Sequence, residues 1–220
     1  MLLLERSERA ALWRQLAEGI EAYTEGIAAW RVTPEMDPAQ IRAYLSPVDF
    51  DRPMEPQRAL AFVLEGLWRF QTHTPHPNYY GLFNPAPTTM SIAADALVAA
   101  INPQLAAWSH SPFAIEVEQL LVRALGERFG YDPALTEGVF CSGGAEANHT
   151  AVLVALGRAF PGYLEHGALA LDREPVFYVS SESHHSFLKA ARLSGLGMQG
   201  AREVMADETL RMDVAALRYH

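Results

Sequence analysis

Two short stretches hold the residues whose types and spacing suit chemistry. In "VFCSGGAEANHTAVLV", Val139 to Val154, an apolar run breaks at Ser142-Gly143-Gly144 and resumes with helical periodicity. Glycines let the backbone turn tightly, and the first N–H groups of the next helix point unpaired at whatever lies before them, a geometry that suits a phosphate. An ordinary strand-to-helix turn with Ser142 as its cap has the same pattern. The loop lacks the Lys-Ser/Thr ending of a nucleotide P-loop and the G-x-G-x-x-G of a dinucleotide site. In the second stretch, "VSSESHHSFLKAA", Ser-rich turn chemistry again precedes a helix and puts His184 and His185 at the junction. The carboxyl ends of adjacent parallel strands face one crevice, so both junctions belong to one edge. Histidine there serves as a base, a ligand, a flat ring for stacking, or simply a surface cap. No metal site is expected: His73-x-x-His76 lies in a proline-rich loop, and neither histidine pair has an acidic third ligand at recognisable spacing.

These junctions need elements to hold them. From about Glu8 to Trp30, Leu12, Leu16, Ile20, Tyr23, Ile27 and Trp30 recur at steps of three and four, which predicts a long helix with one apolar stripe in need of a partner. Pro34, Pro38, Pro47 and Pro53 then limit the chain to short helical turns. A second amphipathic helix carries Leu60, Val63, Leu64 and Leu67 and runs into "QTHTPHPNYYGLFNPAPTT". After Thr89 two helices lead into alternating apolar runs and helices, the pattern of a mainly parallel sheet. Candidate strands are "GVFCS", "PVFYVS" and "AREVM"; helices are expected from about Ala145 to Phe160 and His185 to Ser194, and Asp213 should cap a last short one. The expected organisation is a helical arm, 1–88, followed by an α/β region, 89–220, whose sheet is incomplete.

Composition narrows the partners. The 220 residues carry 17 basic and 26 acidic side chains, a formal charge of -9, which argues against a broad nucleic-acid footprint or an anionic membrane surface. Cys141 is the single cysteine, so no internal disulfide forms, and "MLLLERSER" has too short an apolar run for a secretory signal. No window is apolar for long enough to span a membrane; a cytoplasmic location is expected. Lys189 is the only lysine.

Five blocks in order, "YLSPVDFDRP", "HPNYYGLFNPAPT", "WSHSPFAIEVEQL", "GVFCSGGAEANHTAV" and "FYVSSESHHSFLKAARLSGLG", resemble the group II pyridoxal-phosphate-dependent decarboxylases, which include aromatic-amino-acid, glutamate and histidine enzymes. The resemblance implies the N-terminal part of a fold-type-I α/β enzyme whose N-terminal helices wrap onto a second subunit of a homodimer. It further implies that Gly143, Gly144 and Ala145 offer N–H groups to the phosphate of pyridoxal 5'-phosphate, with Ser142 nearby. His185, rather than His184, takes the place of the family's catalytic histidine, which stacks on the cofactor ring and orients the substrate. Leu82 and Phe83 match pocket-lining positions, and Leu82 departs from the aromatic or polar residue expected for a catechol or glutamate substrate.

The family's chemistry also needs a lysine to hold the cofactor covalently and an acidic residue to keep its ring nitrogen protonated. Both lie later in the family pattern than His220. Lys189, in the helix after His185, is expected to be a solvated side chain. The reading is therefore decarboxylation of an L-amino acid by a complete enzyme, of which this chain is an inactive portion that forms a homodimer or associates with a complementary C-terminal portion. Two alternatives are another fold-type-I reaction, such as transamination or oxidative deamination, and a non-catalytic protein that binds the cofactor or a partner.

Overall fold

A computed structural model describes residues 3–219. The chain divides into two compact units, Met1–Pro103 and Gln104–His220.

The first unit is helical. α1 (Arg6–Gly26) starts at a capping box in which Glu5 and Glu8 satisfy each other's backbone N–H groups. The predicted stripe breaks at Ile27, where the helix tightens into a 3-10 turn, Ile27–Ala29, that lets Trp30 fold back against Tyr23 with ring centroids 5.5 Å apart. The proline segment contributes one short helix, α2 (Pro38–Leu45), capped by Asp37. α3 (Pro56–Phe70) packs on α1 and starts with Pro56 in its first turn, Glu55 accepting from the N–H groups of Gln57 and Arg58. Gly19 is the close-approach point: a Cβ there would sit 2.7 Å from Leu64. α4 (Thr89–Ile101) is capped by Thr88 and stopped by Asn102 in the left-handed region, φ 48°, just before Pro103. A cavity of about 460 Å³ lies between α1, α3 and the segment before α4, lined by Ile20, Tyr23, Leu64 and Trp68 among others.

The second unit holds the sheet. α5 (Pro112–Arg128) and α6 (Gly144–Ala159) lead through α7 (Tyr163–His166) to β1 (Phe177–Ser180), α8 (Ser186–Leu193), β2 (Ala201–Val204) and α9 (Val214–Leu217). β1 and β2 pair in parallel, Phe177 opposite Ala201 and Ser180 opposite Val204. The core is small: Val179 and Val204 from the strands, and Ala190 and Ala191 from α8, whose methyl side chains let the helix approach closely. Asp213 caps α9 as expected, accepting from Ala215 and Ala216 N–H.

One expectation is corrected. "GVFCS" is not a strand: among the described residues the ladder contains only β1 and β2, and a β-strand is defined by its pairing partner rather than by its own residues. Among the described residues no helix is long and apolar enough to cross a membrane.

Candidate functional site

The second unit brings the two sequence-predicted junctions together. α6 packs against α8, and Asn148 Nδ2 in the second turn of α6 donates to Ser186 Oγ, the first residue of α8, at 2.8 Å. This bond spans 38 residues and joins the Ser142–Ala145 turn to the His184–His185 turn.

At the first junction α6 starts bare. α2, α3, α4 and α9 all have a side chain that caps their first N–H groups, whereas Gly143 before α6 gives none. The helical ladder begins with Ala147 N–H to Gly143 C=O, so the N–H groups of Gly144, Ala145 and Glu146 precede it. Neither glycine is required by backbone conformation, since Gly143 has extended angles (φ -178°) and Gly144 is helical. Nor are they required by packing, because a Cβ at either would meet nothing within 4 Å. What they leave is clear space in front of the N–H groups.

Glu146 shapes this turn. Its Oε2 accepts from Ser142 N–H at 2.8 Å and from Ser142 Oγ–H at 2.5 Å. These two bonds, the side-chain one first, hold its carboxyl below the usual carboxylate range. Ser142 is thus not a cap for the helix, and its hydroxyl is already engaged.

At the second junction the chain leaves β1 through a serine-bonded turn: Ser183 N–H donates to Ser180 C=O at 2.8 Å, and Ser181 Oγ accepts from Ala206 N–H at 3.1 Å. The two histidines then separate in role. His184 Nδ1 accepts from Ser186 N–H at 3.2 Å and lies 2.9 Å from Ser186 Oγ, so His184 is the turn-bonded ring. His185 makes no cap bond, and its exposed ring lies against that of His184 with centroids 4.2 Å apart. Leu82 and Phe83 belong to the first unit, where both side chains are exposed and Leu82 N–H donates to Tyr79 Oη at 2.9 Å. Lys189 is exposed on α8.

A model of the pyridoxal-dependent decarboxylase conserved domain matches residues 42–220. The chain belongs to this family. The chain resembles a tyrosine decarboxylase of Oryza sativa subsp. japonica, 32% identical over 224 residues, covering 98% of this chain and 40% of that protein. Its fold matches a crystal structure of mouse CSAD with TM-score 0.86 at 22% identity, over 98% of this chain and 45% of the other. It also matches one of Oryza sativa TDC with PLP and tryptamine, TM-score 0.85 at 20% identity, over 99% and 46%. The chain therefore spans under half the length of these relatives, matching their N-terminal part, and its fold is the corresponding part of a fold-type-I domain.

The sequence reading passed over Glu146, Asn148 and Ser186. Helical spacing carried a signal for Asn148, which is four residues after Gly144 and so on the same face as the turn. The partner of Asn148 carried none.

Proposed function

We propose that this chain supplies the phosphate-binding turn and the ring-stacking histidine of a cytoplasmic pyridoxal-phosphate-dependent L-amino-acid decarboxylase. The observation that supports it is the bare start of α6, where two glycines that neither packing nor conformation requires keep space open before unpaired N–H groups. A phosphate there would accept from the N–H groups of Gly144 and Ala145, with the helix dipole favouring its charge. Ser142 can join only by sharing its hydroxyl with Glu146, or by exchanging it. His185, exposed and without a cap bond, would offer a flat face to a ring held from that turn. When bound, pyridoxal phosphate supplies the electron sink for loss of carbon dioxide. The complete enzyme takes its cofactor-holding lysine and its acidic partner for the ring nitrogen from outside these 220 residues, and works as a homodimer or with a complementary C-terminal portion.

Titration of the purified chain with pyridoxal phosphate, followed by ligand absorbance, tests the turn. Reversible binding is expected, with no label on Lys189 after borohydride reduction. Gly144→Val should weaken binding by about tenfold or more, roughly the value of one charge-assisted contact, with an unchanged unfolding temperature. Equal affinity in the variant, or a label on Lys189, would count against the assignment.

A further inference from the structure

Two adjacent glycines do not hold a shape by themselves. Gly143 and Gly144 carry no Cβ to restrict their backbone, and a Cβ at either would meet nothing within 4 Å, so no packing holds them in place. Three bonds restrain Ser142 and Gly143 ahead of the α6 ladder. Gly143 C=O accepts from Ala147 N–H at 3.0 Å, while Ser142 N–H and Ser142 Oγ–H donate to Glu146 Oε2 at 2.8 Å and 2.5 Å. The first belongs to the helix. The other two are made by one side chain that reaches back over both glycines. Both donors meet a single carboxylate oxygen and fill its two lone pairs, and each such bond is charge-assisted. Ala145 has no polar side chain, and the Ser142 hydroxyl hydrogen is spent on Glu146, so the donors this turn directs outward are backbone N–H groups. Their aim follows the backbone, and is therefore set by whatever fixes the glycines.

We propose that Glu146 is a positioning residue: by clamping Ser142 through its N–H and its hydroxyl, it fixes the Gly143-Gly144 backbone so that the N–H groups of Gly144 and Ala145 keep their direction before a ligand arrives. Its purpose rests on the reading that this turn takes a phosphate. Glu146 acts through Ser142 and does not touch the ligand. Its own charge opposes an anion, so its contribution is geometric. The two glycines are ordered on folding, and that ordering no longer weighs against binding.

Two substitutions separate reach from charge. Glu146→Asp keeps the charge but is one methylene too short to hold both donors, whereas Glu146→Gln keeps the reach, and its amide oxygen still offers two lone pairs. Backbone 15N relaxation of the full chain reads the turn without any ligand. Gly143 and Gly144 should be as rigid as α6 in wild type and in Glu146→Gln, and should become mobile on the ps–ns timescale in Glu146→Asp. Titration with pyridoxal phosphate, followed by ligand absorbance, should then show affinity falling about tenfold in Glu146→Asp and returning to within about threefold of wild type in Glu146→Gln. A role through charge alone would leave Glu146→Asp like wild type and alter Glu146→Gln. A merely structural role would lower the unfolding temperature of Glu146→Asp and leave its glycines and its affinity unchanged. Either result overturns the proposal. If wild type and both variants bind alike, the positioning role falls and the phosphate-binding turn stands. If wild type does not bind while the glycines loosen in Glu146→Asp, the phosphate reading falls, and the purpose assigned to Glu146 falls with it.

Discussion

The chain has two histidine pairs, and they are built in opposite ways. His73 and His76 sit in the loop after α3 and are sealed, 2% and 5% exposed. His73 N–H donates to Val32 C=O at 2.8 Å, its Nδ1 lies 3.1 Å from Tyr23 Oη, and its ring meets Trp30 at 5.3 Å between centroids. It therefore ties α1, the proline segment and the loop together. His184 and His185 are exposed, and only His184 is tied down. The difference teaches that histidine by itself signals little: neighbours turn one pair into a structural clasp and leave the other with a ring to present. Among the described residues no group of three His, Cys, Asp or Glu is placed to hold a metal ion.

The comparison can be broken most directly by truncation. His73→Ala opens a cavity against Tyr23 and Trp30 and strands the Tyr23 hydroxyl, which should cost about 2–4 kcal/mol in denaturant unfolding. An effect below that range would show that the clasp is not what holds the first unit. A smaller effect is expected from acid. Burial pushes the His73 imidazole below its ordinary value of 6.5, with His76 adding in the same direction against a backbone contact at Trp68. The unfolded chain thus takes up this proton before the folded one does. The contribution of His73 is complete above pH about 6.5 and is lost as pH falls through the depressed folded-state value. A His73→Phe variant should lose that part of the slope, and an unaltered slope would place its origin elsewhere. Least of all, His185→Ala should change stability by no more than about 0.5 kcal/mol, as at an exposed site, while it weakens pyridoxal phosphate binding. A large loss of stability would make the second pair structural as well.

Local patterns made much of this legible. The 3.6-residue spacing of Leu60, Val63, Leu64 and Leu67 found α3, Asp213 found the start of α9, and Ser142-Gly143-Gly144 found the start of α6 within one residue. Contacts between distant residues were opaque. Tyr23 and His73 are 50 residues apart, and Asn148 and Ser186 are 38 apart, so no window along the chain contains either pair. "GVFCS" failed for the same reason: its residues suit a strand, but strand pairing is a property of two segments. The Ser142–Glu146 bond is local yet off the expected pattern, because the usual capping box sets the acid three residues on rather than four.

That bond bears on how an anion arrives. With a carboxylate at the mouth of the turn and a formal charge of -9 on the chain, no long-range field draws a dianion inward. Selection falls to donor directions at contact distance, and added salt, which screens repulsion here rather than attraction, eases the encounter. A phosphate bound as proposed would be selected by the shape of the turn and would arrive by diffusion.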